Sequence, residues 1–413
     1  MNTLLLFAGV LSFILILTVR FRVSPFVTLI SASFLYGILE GNNPSVLLPV
    51  ILSGAAKIFQ FLGIMIFCGV CIAHMLRRSG HIDTIVYDIS CLMKNPIDTA
   101  GIGGFILSLP LMCCNTAFVL IAPIIERTVG KQKAAPYLYI AAIGSIISFV
   151  LVYPSPAVVP IVSHLLVSME DPWALNIILV PVAGVLLLLL LVCARRRTGV
   201  EYSSAISCKP EHSRLRSWAP VISPFILVGL GLLFPAISFL SIISVALFGG
   251  LLVAMVTVGK EARDTGVHEG TKYAGLIMFD LCGAGALGAV IAAGSFPSDV
   301  YALLSGNLPV IVLPFVLAAA LQAASGSRVV SAATTAQILA GVSGFPVLDP
   351  AALILMIAGG SCMVSFVSDP YFWLVGRFTG DGTGKVIRNY TLPLAGFGLL
   401  IGCAGITLQF LSG

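Results

Sequence analysis

The chain has 413 residues, of which 58% are hydrophobic and only 9% charged, and its net charge is +5. A soluble domain carries roughly 25% charged residues, so this composition excludes an ordinary soluble protein and indicates that lipid is the solvent. The mean hydropathy is +1.08, and apolar runs of about 20 residues, enough to cross a bilayer, recur along the chain. They predict an all-α polytopic membrane protein of about 10–12 transmembrane spans. The runs are Asn2–Thr18, Ile58–Leu76, Asn176–Ala194, Ser238–Val258 and Pro393–Phe410.

The first predicted span, Asn2–Thr18, could be mistaken for a signal peptide. It lacks a positive segment before the apolar run and an Ala-x-Ala cleavage site, so a retained helix is expected. Arg20 and Arg22 follow the run. By the positive-inside rule they lie in the cytoplasm, which places the N-terminus outside.

The next strongly apolar span carries Cys68 and Cys71, at the spacing of a metal or redox pair. No second pair and no histidine cluster accompanies them, so buried packing cysteines are favoured and neither a metal nor a cofactor is expected. His74 is interpreted as a packing residue rather than a proton relay. Arg77 and Arg78 mark the cytoplasmic end of this span.

Two later segments, 109–116 and 152–156, interrupt apolar stretches with proline and short polar residues. Proline lacks an N–H and breaks a helix. Irregular backbone at membrane depth is tolerated only where protein or a water-filled cavity surrounds it. The first segment predicts the tip of a re-entrant hairpin and the second a broken helix. Their candidate substrate ligands are Asn115, Thr116, Pro154 and Ser155.

The longest polar stretch runs from Arg195 to Trp218 and contains six basic and two acidic residues. The positive-inside rule makes it a cytoplasmic loop, and a nucleic-acid-binding patch is disfavoured in such a setting. It predicts a division into an N-terminal repeat of residues 1–194, a basic linker of residues 195–218 and a C-terminal repeat of residues 219–413.

The two predicted halves resemble one another at a constant offset. Ser145 and Ser361 are 216 residues apart, as are Pro154 and Pro370, and the same shift relates Gly69 to Gly285 without a gap. An odd number of spans per half would invert the second copy. Inverted repeats are the common construction of secondary transporters, with substrate held where broken helices meet. Two inverted repeats with paired re-entrant hairpins and broken helices are therefore expected.

In the second half the corresponding interruptions are 322–329 and 367–371. Arg328 stands within a long uncharged stretch, where an arginine costs about 2.5–3.5 kcal/mol to insert. Its planar fork of donors suits a carboxylate, so it is interpreted as a substrate ligand. A salt bridge to Asp369 or Asp280, or a position at the membrane interface, remains an alternative. The other candidate substrate ligands are Ser325, Gly326, Ser327, Ser331 and Ser368.

Asp369 is the candidate coupling residue, because a carboxylate in a low-dielectric site can bind and release a proton. A sodium ligand and a helix N-cap are the alternatives. Asp280 is also surrounded by apolar residues. Residues 283–288 have the G-x-G-x-x-G spacing of a nucleotide-binding loop. They lie inside an apolar span rather than after a soluble strand, so a nucleotide site is not expected. No catalytic triad or zinc spacing is present, so an enzyme is not expected.

These segments resemble the gluconate permease family of the ion transporter superfamily. The similarity is closest over Ala351–Phe378, with its Gly-Ser pair and Phe-Trp-Leu-Val run, and extends to the glycine-rich Cys282–Gly288. The resemblance implies a proton-coupled symporter of gluconate or a related sugar acid in the bacterial inner membrane. It also implies a homodimer whose transport domain moves against a scaffold, like an elevator. By position it places Asn115, Arg328 and Asp369 in site-forming segments.

Two departures from the family pattern change the expected charge of the site. Asn115 stands where relatives usually carry an acid, and Arg328 stands where they usually carry a small residue. A more positive site suggests a substrate other than gluconate, such as a dicarboxylate. A sodium-coupled di- or tricarboxylate carrier of the same superfamily is the alternative, with a membrane-embedded enzyme as a remote one.

Overall fold

A computed structural model describes residues 3–21, 23–92, 95–167, 169, 171–198, 212–296, 299, 302, 309–342, 345–366 and 368–412. Arg22 and residues 199–211 of the predicted linker lie outside this set. The described residues form helices and no strand. In the first half these are α1 (Thr3–Leu15), α2 (Pro25–Leu39), α3 (Pro44–Arg78), α4 (His81–Leu92), α5 (Pro96–Ser108), α6 (Cys114–Val129), α7 (Ala135–Leu151), α8 (Val159–Leu165) and α9 (Asn176–Thr198).

The second half begins at α10, after the residues that lie outside the described set. Its helices are α10 (Arg214–Leu233), α11 (Ile243–Thr257), α12 (Lys260–Ala293), α13 (Leu313–Ser325), α14 (Arg328–Ala340), α15 (Pro350–Met363), α16 (Pro370–Thr379), α17 (Thr383–Val386) and α18 (Leu392–Ser412). A π-helical turn, Ile387–Thr391, leads into α18.

Many of these helices begin at a polar residue followed by proline. Asn43 and Asn95 accept hydrogen bonds from backbone N–H groups in the first turns of α3 and α5, and Asp349 does the same for α15. Such side chains satisfy N–H groups that have no partner within the helix. Proline fits the first helical position because it needs no partner there. The local sequence therefore sets these helix starts.

Five described stretches are long and apolar enough to cross a bilayer, and they are Pro44–Arg78, Pro172–Arg196, Arg214–Leu233, Lys260–Ala293 and Thr383–Ser412. A sixth candidate joins Pro235–Ser241 to Ile243–Thr257 through a bend of 78°. Six more apolar helices have 10–17 residues. The all-α polytopic architecture is thus confirmed. The total of about 10–12 spans includes these shorter helices, whose path through the bilayer stays a prediction.

Eight helix pairs correspond at the offset of 216 residues. They are α1 with α10, α2 with α11, α3 with α12, α5 with α13, α6 with α14, α7 with α15, α8 with α16 and α9 with α18. The long helices α3 and α12 pack antiparallel, since Gly54 lies against Gly285 while Cys71 lies against Gly270. This equivalent pair thus runs in opposite directions, as the predicted inversion of the second half requires.

The helices pack in two groups. In one, α3 and α12 form the centre and contact α2 and α11. In the other, α5 packs on α7, and α15 packs on α13 and α18. Helix α14 contacts α12 as well as α13, so it lies between the groups. The helices break at all four interrupted segments, and the breaks of the second half meet beside α14.

Candidate functional site

A cavity of about 190 Å³ lies where the breaks of the second half approach α6, α12 and the end of α1. Its wall has a polar part and a larger apolar part. Among the apolar residues are Ile66, Val70, Met112 and Phe149. The polar residues are Thr18, Asn115, Asp280, Ser325, Ser327, Arg328, Asp369 and Tyr371.

Arg328 is the first residue of α14 and is 5% exposed. Its Nη2 lies within hydrogen-bond distance of three acceptors, Ser365 Oγ at 2.9 Å, Asp369 Oδ2 at 3.0 Å and Tyr390 Oη at 3.0 Å, which share its two hydrogens. Its Nε is buried and has no hydrogen-bond partner among the described residues. A buried donor on a charged group is costly to leave unpaired. The guanidinium therefore retains one donor that is unused among the described residues.

Asp369 combines two roles that the sequence left as alternatives. Its Oδ2 forms the ion pair with Arg328, and its Oδ1 accepts from the backbone N–H of Tyr371 at 2.9 Å, which caps α16. The positive end of the α16 dipole stabilises this carboxylate. The positive end of α14 has the opposite effect on Arg328, so the cation depends on Asp369 for its stabilisation.

Two tyrosines complete the surroundings of the ion pair. Tyr390, on the π-helical turn before α18, contacts both Arg328 and Ser365 through its hydroxyl. The ring of Tyr371 lies 5.9 Å from the Arg328 guanidinium carbon, and its hydroxyl is 2.8 Å from Ser145 Oγ on α7. The side chains that hold the cation thus all belong to the second half, and Tyr371 in turn contacts Ser145 of the first half.

A close backbone contact joins the two breaks of the second half. Gly326 has φ +66°, and a Cβ there would lie 1.9 Å from the carbonyl oxygen of Ser368. Only glycine fits both the left-handed conformation and this approach. The Ser368 hydroxyl donates to the carbonyl of Ala323 at 2.8 Å, which adds a second contact between the same breaks.

The structure brings together six of the predicted site residues around the cavity. These are Asn115, Ser325, Gly326, Ser327, Arg328 and Asp369. Thr116, Ser331 and Ser368 do not line it, and the Ser331 hydroxyl donates to the carbonyl of Ala318 at 2.6 Å. Pro154 and Ser155 line a separate cavity of about 50 Å³.

Several contacts of the site were not among the predicted residues. Ser365 lies four residues before Asp369, and its short polar side chain in an apolar stretch is a signal that could have identified it. Tyr390 is 62 residues from Arg328 and carries no comparable local signal. Tyr371 and Ser145 meet across 226 residues of sequence.

The remaining polar residues that the sequence analysis weighed have separate surroundings. Asp280 lines the cavity and accepts from the backbone N–H of Phe26 at 3.1 Å. His74 lies 3.5 Å from Glu269, which also pairs with Arg78. Among the described residues, no group of three or more His, Cys, Asp or Glu side chains could hold a metal ion.

Several known proteins are similar to this chain in sequence or in fold. The chain is 24% identical to the Gnt-II system L-idonate transporter of Escherichia coli K12 over 94% of this chain and 95% of that protein. It is 22% identical to the high-affinity gluconate transporter of the same organism, over 92% and 93% of the two chains. The crystal structure of the Alcanivorax borkumensis YdaH transporter has a similar fold, with a TM-score of 0.59 and 17% identity over 85% of this chain and 86% of that one.

A model of the GntP family permeases matches residues 1–187 and 221–411, almost the whole chain. The family match identifies a transporter rather than an enzyme. Together with the apolar helices, it identifies a multi-pass protein of the inner membrane. The resemblance noted in the sequence is thereby confirmed. The chain belongs to the GntP family of permeases.

Proposed function

We propose that the protein is a symporter that carries a small carboxylate of the sugar-acid class together with protons. The observation that supports this most directly is the buried Arg328 guanidinium on the cavity wall, whose Nε has no partner among the described residues. A carboxylate matches a guanidinium because its two oxygens can accept two parallel hydrogen bonds. The carboxylate of the substrate is the acceptor expected there.

The charges around the cavity support coupling to a cation. Arg328 is the one cationic residue among the described residues of the wall, which also carries the carboxyl groups of Asp369 and Asp280. If both acids stayed ionised, a bound monoanion would leave the site with two net negative charges. A low-dielectric site disfavours such a state. A proton on Asp369 would neutralise that group and release Arg328 to the carboxylate of the substrate.

The wall of the cavity also bears on the substrate class. Two of the relatives are named as L-idonate and gluconate transporters. A single cation supports a monocarboxylate better than the dicarboxylate suggested by the sequence. Asn115 and Ser327 offer short polar groups near Arg328, whereas Met112 and Phe149 make another part of the wall apolar. We therefore expect a small hydroxylated monocarboxylate.

We further propose a homodimer in which one helix group moves against the other. The ion pair belongs to α14 and α16, whereas Asp280 belongs to α12 in the group centred on α3 and α12. The cavity thus lies between groups that pack mainly within themselves. In this proposal α5–α6 and α13–α14 are the paired re-entrant hairpins.

Uptake into proteoliposomes tests the proposal. Gluconate, L-idonate and succinate would each be offered under an imposed pH gradient, a sodium gradient or neither. We expect a sugar acid to accumulate with the pH gradient and not with the sodium gradient. Asp369→Asn should abolish accumulation driven by the pH gradient while leaving exchange of labelled for unlabelled substrate. Asp381→Asn removes a carboxylate that pairs with the exposed Lys385, and it should behave as wild type.

The outcomes separate the alternatives. Accumulation driven by sodium alone, with succinate preferred, would replace the proposal with a sodium-coupled dicarboxylate carrier. Equilibration without accumulation under either gradient would indicate a passive channel. Absence of flux for every carboxylate would overturn the assignment of an organic anion.

A further inference from the structure

A second large cavity, of about 780 Å³, lies away from Arg328 at the ends of several helices. It is bounded by the end of α3, the start of α4, the start of α10, the end of α11 and the start of α12. The basic residues at the end of α3 and beside the linker place this face in the cytoplasm by the positive-inside rule. The cavity therefore faces the cell interior.

Basic side chains dominate the wall of this cavity. They are Arg78, His81, His212, Arg216 and Lys260, and the single acid among the described lining residues is Glu261. Arg78 pairs with Glu269. Arg216 and Lys260 are exposed, and neither forms a salt bridge within the described part of the chain. A concave surface with charges of one sign focuses the field and attracts counter-ions.

The two histidines are arranged in a defined way. Their ring centroids lie 4.6 Å apart. The Ser217 hydroxyl donates to the carbonyl of Ser213 at 3.1 Å, so it must accept from the Nδ1–H of His81, 2.8 Å away. This network assigns the tautomer of His81 and leaves Nε2 as the nitrogen that binds a further proton. Burial, followed by the positive charges of His212 and Arg216, lowers the pKa of His81.

The positions of the two unpaired cations run against the helix dipoles. Arg216 lies in the first turn of α10, and Lys260 is the first residue of α12. Cations are unfavourable at helix N-termini, which instead attract anions. The positive-inside rule explains basic residues on this face but not their placement at two converging N-termini. A bound anion would satisfy the side chains and both helix ends together.

We propose that this cavity is a cytoplasmic binding site for a phosphate group, separate from the cavity at Arg328. A phosphate group presents several acceptor oxygens and up to two negative charges, which matches donors that converge from several sides. A proton on Nε2 of His81 would add a further donor, although burial lowers the pKa of this group. Arg78, Arg216, Lys260 and Glu261 also face the site. The phosphate belongs either to an anionic lipid headgroup or to a phosphorylated compound in the cytosol.

Thermal stability of the purified full-length protein in detergent gives the first test, with inorganic phosphate compared with chloride at matched ionic strength. We expect phosphate to raise the midpoint at about pH 6 and also at about pH 8. The double variant Arg216→Ala with Lys260→Ala should bind phosphate at least about tenfold more weakly than the wild type. Lys131→Ala removes an exposed lysine outside the cavity and should change nothing.

Two further arms identify the source of the phosphate. In one outcome, phosphatidylglycerol vesicles stabilise the protein more than phosphatidylcholine vesicles and compete with inorganic phosphate. This outcome would indicate that the ligand is a lipid headgroup. Stabilisation by a phosphorylated sugar acid, with no difference between the two lipids, would indicate a cytosolic ligand. No phosphate effect at either pH, or an equal effect in the double variant, would overturn the proposal. The carboxylate-induced shift that depends on Arg328 should be unchanged in the double variant, which keeps this test independent of the transport proposal.

Discussion

The hairpins α5–α6 and α13–α14 occupy equivalent places in the two halves, yet their chemistry differs. At the offset of 216 residues, Arg328 corresponds to Met112 and Ser365 to Phe149. Both Met112 and Phe149 line the same cavity as Arg328. The repeated architecture thus builds the cavity from both halves, whereas the charge lies on one side of it. The charged residues of the wall thus come from the second half, whereas Met112 and Phe149 of the first half are apolar.

The largest effect is expected when the asymmetry is removed. Arg328→Met installs the residue of the first half and leaves Asp369 buried without its cation, at a cost of about 3–5 kcal/mol in unfolding free energy. Denaturation of the purified protein measures this loss, and the carboxylate-induced thermal shift should disappear. In the double variant Arg328→Met with Asp369→Asn, most of the stability should return but carboxylate binding should not. A single variant that still binds carboxylate would assign Arg328 to structure alone.

The next largest effect concerns the tip of the charged hairpin. Gly326→Ala places a side chain in a left-handed conformation, which costs about 1–3 kcal/mol, and pushes its Cβ into the carbonyl of Ser368. We expect a lower melting temperature and weaker carboxylate binding, because the two breaks would separate. Gly396→Ala is the matched control, since no atom lies within 4 Å of its added Cβ. Equal behaviour of the two variants would show that the contact at the tip is not required.

A smaller effect is expected at the edge of the ion pair. Tyr390→Phe removes the hydroxyl that contacts both Arg328 and Ser365, and a lost hydrogen bond to a charged group costs about 1.5–3 kcal/mol. Carboxylate affinity, measured by titration of the thermal shift, should fall about tenfold or more. Tyr139→Phe removes a hydroxyl bonded to Asp381 at 2.9 Å, away from the cavity. It should leave the affinity at the wild-type value, and a similar fall in both variants would contradict a specific role for Tyr390.

The smallest effect is expected on the side of the first half. Asn115 lines the cavity, and its Oδ1 accepts a weak hydrogen bond from the Cys114 thiol at 3.7 Å. Asn115→Ala should change stability by less than about 0.5 kcal/mol and weaken carboxylate affinity only a few-fold. Thr116→Ala, beside it but outside the cavity wall, is the control. Complete loss of binding in Asn115→Ala would show that both hairpins hold the substrate equally.

Much of the fold followed from local features of the chain. Proline after a polar residue set the starts of several helices, and the segments 109–116, 152–156, 322–329 and 367–371 coincide with breaks between helices. The antiparallel packing of α3 on α12 agrees with the predicted inversion. These features are readable because hydrophobic length, proline and glycine act within a few residues.

Only part of the candidate site could be predicted from the sequence. Ser331 and Ser368 have the right composition for ligands, but their hydroxyls donate to backbone carbonyls within the fold. Small polar residues in membrane helices commonly act in this way, and the sequence alone cannot say which partner each one has. Pro154 and Ser155 were assigned to the same site on the strength of the repeat, yet they line a different cavity.

The sequence by itself determined that the chain is a membrane protein and that it contains two related halves. It also determined that Arg328 and Asp369 are charged residues within apolar segments. Those conclusions need only composition, spacing and the cost of a charge in an apolar setting. The tertiary structure decided that the two charges pair, that Ser365 and Tyr390 join them, and that Nε of Arg328 has no partner among the described residues. The reason is physical: which polar atoms meet depends on packing between segments far apart in sequence, and no local pattern records those distances.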